Sequence, residues 1–222
     1  MPSYYPIFLD LQGKPCVVVG GGHVAERKVG VLLEHDASVI VVSPDLTPAL
    51  RNLARTGAFL LLEREYRKGD LEGAFVAIAA TGDGAVNADV SAEARERGVP
   101  VNVVDGPDQS DFIVPSVVRR GDIAVAISTG GRSPALARKL RTVLEGTLAP
   151  EYAAVLDIVS DVRRELASRG VTVDADMWQS CLDVDALLAM ISEGRQDRAR
   201  QALLERLLSA PSLEASPTAD DE

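Results

Sequence analysis

Two cysteines and two histidines are all that the 222-residue chain offers for disulfides or soft-metal ligation. Cys16 opens an apolar run and Cys181 falls in a helical stretch, so both are read as reduced, structural thiols. His23 and His35 stand apart with no cysteine cluster around them, so no zinc-site spacing is present and no resident metal is expected. The chain also lacks an apolar run of the ~20 residues needed to span a bilayer, and no membrane partner is expected. Its start, Met1-Pro2-Ser3-Tyr4-Tyr5, has neither the basic nor the apolar region of a signal peptide, and the expected setting is the cytoplasm. Basic charge is scarce as well. A formal net charge of −10 excludes a surface that is basic throughout, so nucleic acid is not an expected partner.

What is present is an ordinary globular composition, 46% hydrophobic and 25% charged, with room for one substantial domain and a smaller one. Strand-like runs at Cys16–Val19, Ser38–Val42, Phe59–Leu62, Phe75–Ala80 and Val101–Val104 alternate with helical stretches at His23–Glu34, from Thr47-Pro48 onward, and at Ala85–Arg97. Thr47 is placed to cap its helix with Pro48 in the first turn, and Gly98 to close the helix before it. Such alternation predicts an α/β, Rossmann-type doubly wound parallel sheet. After Asp105 the pattern changes. Phe112–Val114 and Ile123–Ile127 read as short strands around a polar turn at Arg119–Asp122, and Ser133-Pro134 starts a helix to about Glu145. Pro150 then opens a helical region, with helices expected at Glu151–Arg169, Ala175–Ser192 and Arg195–Ser209. The expected divisions are 1–112 for the Rossmann domain, 113–148 for a small β/α segment, 149–209 for a helical domain and 210–222 for a disordered tail rich in Ser, Pro and acids.

Four segments carry chemistry. Gly20-Gly21-Gly22-His23-Val24-Ala25 holds the G-x-G-x-x-A form of the dinucleotide fingerprint between an apolar strand and a helix. Its glycines allow a tight turn and close approach of a pyrophosphate, Ala25 allows close helix–strand packing, and the helix N-terminus favours phosphate. Ser43-Pro44-Asp45 ends the second strand, where an acidic residue favours NAD over NADP by holding ribose hydroxyls; alternatively Asp45 only shapes the turn before Thr47. Asp105 ends a strand in Asn102-Val103-Val104-Asp105-Gly106-Pro107, where a carboxylate can accept protons, although Asp-Gly-Pro is also a turn sequence. The loop Ser128-Thr129-Gly130-Gly131-Arg132-Ser133-Pro134 offers amides, hydroxyls and a guanidinium to an anion, or merely connects strand to helix. Around it lie Arg119, Arg120, Arg132, Arg138, Lys139 and Arg141 against the single acid Asp122, a basic segment fit for an anionic ligand or for solvent.

Together these segments resemble the precorrin-2 dehydrogenase/sirohydrochlorin ferrochelatase family, which includes the N-terminal part of sirohaem synthase and stand-alone relatives. The matching stretches are Tyr5–Leu11, Val18–Lys28, Ala79-Ala80-Thr81, Asn102–Asp105, Asp111–Pro115 and Ala126–Arg138, in order over about residues 3–145. The resemblance implies NAD⁺-dependent oxidation of precorrin-2 to sirohydrochlorin and, in many members, Fe²⁺ insertion to give sirohaem. Fe²⁺ is then a substrate, held transiently near Asp105, and not a fixed ligand. Asp105 matches the family's key carboxylate. The implied cofactor contacts are Gly20 to Ala25, Ser43, Pro44, Asp45, Ala80, Thr81 and Val104. The implied tetrapyrrole contacts are Asn102, Phe112, Pro115, Ser128, Thr129, Gly130, Gly131, Arg132, Ser133 and Arg138. A homodimer interlocked through 113–148 is implied as well. The sequence stops short of the methyltransferase domain of the fused enzyme, so a separate enzyme is expected to supply precorrin-2.

Two other readings use the same motifs. A dehydrogenase without chelatase activity shares all of them. A NAD-binding sensor module, such as that of a potassium transporter, shares the Rossmann fold but has no use for Asp105 beside a basic, glycine-rich loop.

Overall fold

The computed structural model describes residues 4–209. Five parallel strands, β1 (Pro15–Val19), β2 (Ser38–Val42), β3 (Leu60–Leu62), β4 (Val76–Ala79) and β5 (Val101–Val103), form one sheet in the order β3-β2-β1-β4-β5. Central β1 pairs with both β2 and β4, Val19 lying opposite Val42 on one side and Ala79 on the other. Cys16 to Val19 are all buried, as a strand covered on both faces requires, and this is why the sequence there is continuously apolar.

Alternation along β1 splits the core in two. Cys16 and Val18 join the cluster under helices α1 (His23–Leu33) and α2 (Pro48–Arg55), where Ala25, Val29 and Leu32 recur at helical spacing. Val17 and Val19 join the cluster on the opposite face with Val90 and Ala94 of helix α3 (Gly84–Arg97). The end signals act as expected: the Thr47 hydroxyl accepts from the Leu50 N–H with Pro48 in the first turn, and Gly98 closes α3 at φ 66°. Asp83, unread from sequence, caps α3 through the Ala85 and Val86 N–H groups. This is the doubly wound fold, with its topological switch between β1 and β4.

No helix covers the crossover from β3 to β4. Residues 63–75 are held instead by Glu93 of α3, which is only 2% exposed. Its carboxylate accepts from the Gly69 N–H (3.0 and 2.9 Å), the Leu71 N–H (3.4 Å), Arg97 Nε (2.6 Å) and the Tyr66 hydroxyl. Burial pushes the Glu93 carboxyl up, but the donors from Tyr66, Gly69 and Arg97 outweigh it and hold the group below the usual carboxylate range. Asp70 in the same crossover is lowered by a two-pronged pairing with Arg64 (2.7 and 2.6 Å).

The outer edge of β5 is closed by the chain that follows it. Asp111 N–H donates to the Val101 carbonyl (2.8 Å), Asp111 Oδ2 accepts from the Val101 N–H (3.0 Å), and Ser110 Oγ accepts from the Val103 N–H (2.9 Å). Phe112–Val114, expected as a strand, is therefore not one. Phe112 instead packs its ring into the α1-side core.

Two compact units divide the described residues: 4–114 together with Gly130–Ser133, and Pro115–Thr129 together with 134–209. In the second unit, β6 (Ser116–Arg120) and β7 (Ile123–Ile127) form an antiparallel hairpin closed by Gly121-Asp122, with Gly121 at φ 56°. Positive φ at the first central residue is what the favoured two-residue turns require. Arg119 and Arg120, read as turn residues, lie in β6 because Arg120 caps the end of α4 (Pro134–Thr147), donating to the Leu148 carbonyl (2.7 Å) and the Glu145 carbonyl (2.8 Å). Helices α5 (Tyr152–Ser168), α6 (Ala175–Cys181), α7 (Val184–Ser192) and α8 (Gln196–Ser209) follow, sharing a core of Val155, Ile158, Val162, Leu166, Leu187, Ile191, Leu203 and Leu207. The single helix expected over Ala175–Ser192 is two helices, because Asp183 caps a new start by accepting from the Ala186 N–H at 3.1 Å. Both cysteines are free and buried. Among the described residues no helix is long and apolar enough to cross a membrane. The tail expected at 210–222 lies outside the described residues.

Candidate functional site

The loops leaving the carboxyl ends of β1, β2, β4 and β5 bring most of the first unit's candidate residues to one end of the sheet. Gly20 lies between β2 and β4, its N–H donating to the Val42 carbonyl (2.9 Å), while the Ala80 N–H donates to the Val19 carbonyl (2.8 Å). Gly20 has φ 122°, and a Cβ there would stand 2.4 Å from the Ala80 carbonyl oxygen. Gly21 is tighter still: a Cβ would lie 1.9 Å from the Asp45 carbonyl oxygen and 2.8 Å from Ser43 Oγ. Both glycines are therefore demanded by the chain itself.

Gly22 is different. Its φ of −79° suits any residue, and a Cβ there would meet open space. It is the N-cap of α1 and supplies no side-chain cap, so the helix begins with its first N–H groups uncovered by a side chain. Nothing in the fold requires glycine at this position, whereas a ligand lying against the backbone does. The position fits a dinucleotide: an anion approaching Gly22 meets amide donors and the positive end of the α1 dipole. His23 is 91% exposed beside this entrance, 3.7 Å from Glu26, and Ala25 is fully buried against β1.

Around this entrance the other loops are braced by side chains. Buried Ser43 donates to the Asp45 carbonyl (2.7 Å), shaping the turn that leaves Pro44 and Asp45 exposed. Thr47 Oγ1 donates to Glu26 Oε2 (2.5 Å), tying the start of α2 to α1. Beyond β4, Thr81 is fixed by Asn87, a buried residue that sequence reading passed over: Thr81 N–H lies 3.3 Å and Thr81 Oγ1 2.8 Å from Asn87 Oδ1, and Asn87 Nδ2 donates to the Thr81 carbonyl (3.1 Å). Asn87 was findable only as a polar residue on the buried face of a helix.

Asp105 follows β5, which ends at Val103, one residue earlier than the strand expected over Val101–Val104. The Val104 N–H donates to the Ala79 carbonyl (2.9 Å), and the Gly106 N–H closes a turn on the Val103 carbonyl (3.1 Å). Within this turn Asp105 has φ 58°, one of two described non-glycine residues in the left-handed region. Aspartate tolerates that region better than most residues, but still at an energetic cost. Its side chain is exposed and makes no hydrogen bond or ion pair among the described residues. The turn is steadied from α3, where buried Ser91 donates to the Gln109 carbonyl (3.0 Å).

Asn102 has both ends of its amide engaged: Nδ2 donates to the Phe112 carbonyl (3.0 Å) and Oδ1 accepts from Lys28 Nζ (3.3 Å). Burial, and then the neighbouring Arg27 charge, push the Lys28 ammonium below the usual lysine range. Of the glycine-rich loop, Gly130–Ser133 groups with the first unit, with Gly130 at φ 61°, Gly131 at φ 78° and Arg132 exposed. Pro115, Ser128, Thr129 and Arg138 belong to the second unit, Arg138 on the exposed side of α4 next to buried Ala137. No group of three or more metal-ligating side chains occurs among the described residues.

Comparison with known proteins adds three findings. A family model described as putative NAD(P)-binding matches residues 7–116, and one described as sirohaem biosynthesis protein central matches residues 120–146. Siroheme synthases of Methylococcus capsulatus and Methylobacillus flagellatus are each 40% identical to the chain, over 205 and 204 residues. These alignments cover 91% and 89% of this chain but 43% of either relative, so the chain spans less than half the length of the curated relatives it matches. The solved structure of SirC, a precorrin-2 dehydrogenase, superposes with a TM-score of 0.67 at 23% identity, covering 93% of this chain and all of that one, a likeness of fold.

Proposed function

The chain belongs to the family formed by the N-terminal part of sirohaem synthases and its stand-alone relatives, and from that premise we propose that it oxidises precorrin-2 to sirohydrochlorin with NAD⁺. One observation carries the reading. At the same end of the sheet stand a glycine the fold does not need, Gly22, and a carboxylate the fold does not use, Asp105.

In this reading Gly20 to Ala25 hold the dinucleotide pyrophosphate on the α1 N-terminus, with Ser43, Pro44 and Asp45 at the ribose and Ala80, Thr81 and Val104 beneath the remainder. NAD⁺, when bound, supplies the two-electron acceptor. Dehydrogenation also releases a proton from the macrocycle, and Asp105 accepts it as general base. The exposed guanidinium groups of Arg132 and Arg138, with the amides and hydroxyls of Ser128 to Ser133, suit the carboxylates that edge such a substrate. Phe112, Pro115 and Asn102 complete the proposed tetrapyrrole contacts.

The proposal extends to Fe²⁺ insertion, with Fe²⁺ as substrate: chelation displaces pyrrole protons, and the same carboxylate suits their removal. It further extends to a cytoplasmic homodimer joined through 113–148. The apolar stripe Leu136, Leu140 and Val143 on α4, each 41–53% exposed, supports this, because large apolar side chains at helical spacing favour a cover. Incubation with precorrin-2 and NAD⁺, followed by absorbance, tests the activity. NADH formation is expected, and its absence sinks the proposal. Adding Fe²⁺ or Co²⁺ to sirohydrochlorin then tests chelation: a rate equal to the protein-free control removes that part.

A further inference from the structure

Lys28 is the half-buried ammonium of the first unit that the proposed reaction leaves without a task. Among the described residues no carboxylate pairs with it; its hydrogen bond runs to the neutral amide of Asn102 (3.3 Å). Withdrawing a cation from water without a counter-charge is unfavourable, and an apolar side chain of similar length would serve packing alone as well or better. The fold therefore gives no reason for a charge at this position.

The bond's geometry does give one. Asn102 Nδ2 must face the Phe112 carbonyl, which can only accept, and so Oδ1 is turned toward Lys28. The result is a side-chain bracket from α1, the helix whose N-terminus bears the fingerprint, across to β5 and the segment at Phe112. Asp105 is three residues beyond Asn102, on a turn whose backbone is strained and whose own side chain has no partner to locate it. A turn of this kind keeps its place only through what surrounds it. Ser91 steadies it from α3, and the bracket steadies it from α1.

We propose that Lys28 is a positioning residue, acting through Asn102 to hold the Asp105 turn in register with the cofactor-binding helix. The inference rests on the proposed dehydrogenase reaction for its catalytic consequence, but not for its structural one. The Lys28→Met variant removes donor and charge while keeping the aliphatic stem. Amide hydrogen exchange is expected to quicken about tenfold at Val103, Val104, Gly106 and Asp111, with Val18 and Val41 in the sheet centre unchanged. Single-turnover oxidation of precorrin-2 is expected to slow about tenfold, since a small misplacement of a reacting group is enough for that. The dissociation constant for NAD⁺ and the melting temperature are expected to hold, and Lys28→Arg, which can still donate to Asn102, to recover most of the rate. Unchanged exchange in Lys28→Met overturns the bracket. Normal turnover in Lys28→Met beside an active parent overturns the positioning role. Should the parent itself not oxidise precorrin-2, the proposed function fails, and the exchange result still decides whether the bracket exists.

Discussion

Glu93 and Asp105 are carboxylates of the same unit in opposite surroundings. Glu93 is buried and surrounded by donors from a hydroxyl, two backbone amides and a guanidinium, which together fasten a helix-free crossover to α3. Asp105 is exposed, sits at φ 58° and receives no donor among the described residues. A carboxylate that holds the fold is saturated with hydrogen bonds, and saturation depresses its basicity. Asp105, the proposed general base, is left without donors and is located by its backbone.

The sharpest way to break the comparison is to delete each acid. Asp105→Ala is expected to cut precorrin-2 oxidation about 100-fold or more, the range for loss of a general base, with NAD⁺ binding by titration nearly intact. Asp105→Gly should lose as much activity while melting higher, because glycine relieves the left-handed strain. Unchanged turnover in either variant removes Asp105 from the mechanism. Glu93→Ala should do the reverse, lowering unfolding free energy by about 3–5 kcal/mol in denaturant titration, because Arg97 and the Gly69 and Leu71 amides lose their acceptor. A loss below about 1 kcal/mol would place Glu93 outside the fold's supports.

The glycines sharpen the same division. Gly22→Val should weaken NAD⁺ binding about tenfold or more with little change in melting temperature, since its side chain projects into open space. Gly21→Ala should instead lower the melting temperature, its Cβ colliding with the Asp45 carbonyl. If the two variants behave alike, the distinction between a glycine kept for a ligand and one kept for the chain is wrong. Acid gives the gentlest test. Glu93 and Asp70 have folded-state values held below their ordinary ones, so their contribution is complete above the ordinary carboxylate range of about 4 and disappears as pH falls through the folded values. Melting temperature should therefore be level near neutrality and drop below about pH 4, and Glu93→Gln should flatten that drop.

Much of the fold was legible because it depends on local signals. The continuous apolar run Cys16–Val19, the Thr47-Pro48 start and the Gly98 stop each act within a few residues of where they stand. The errors came where a distant partner decides. Phe112–Val114 has the composition of a strand, but the β5 edge beside it is taken by Ser110 and Asp111. Arg120 looks like turn material until the end of α4, 25 and 28 residues away, is there to receive it. The apolar periodicity of 175–192 runs through Asp183, hiding the break that its cap creates. The candidate site divides in the same way. The fingerprint could be read, but not which of its glycines serves the chain, because that depends on the approach of the Asp45 loop to Gly21. Asn87 and Ser91 carry no motif, and Lys28, though it ends the Val18–Lys28 stretch, shows its partner only across the sheet.

The closing of the β5 edge by Ser110 and Asp111 has a bearing on how copies of the protein meet. A sheet with two open edges can add strands at both ends and grow without limit. Here one side is sealed by the chain's own polar groups, leaving β3 as the remaining edge. Any edge-to-edge association of this five-stranded sheet must run through β3, join like edges and stop at a pair. The seal thus works as a chain terminator, denying the sheet a route to fibres.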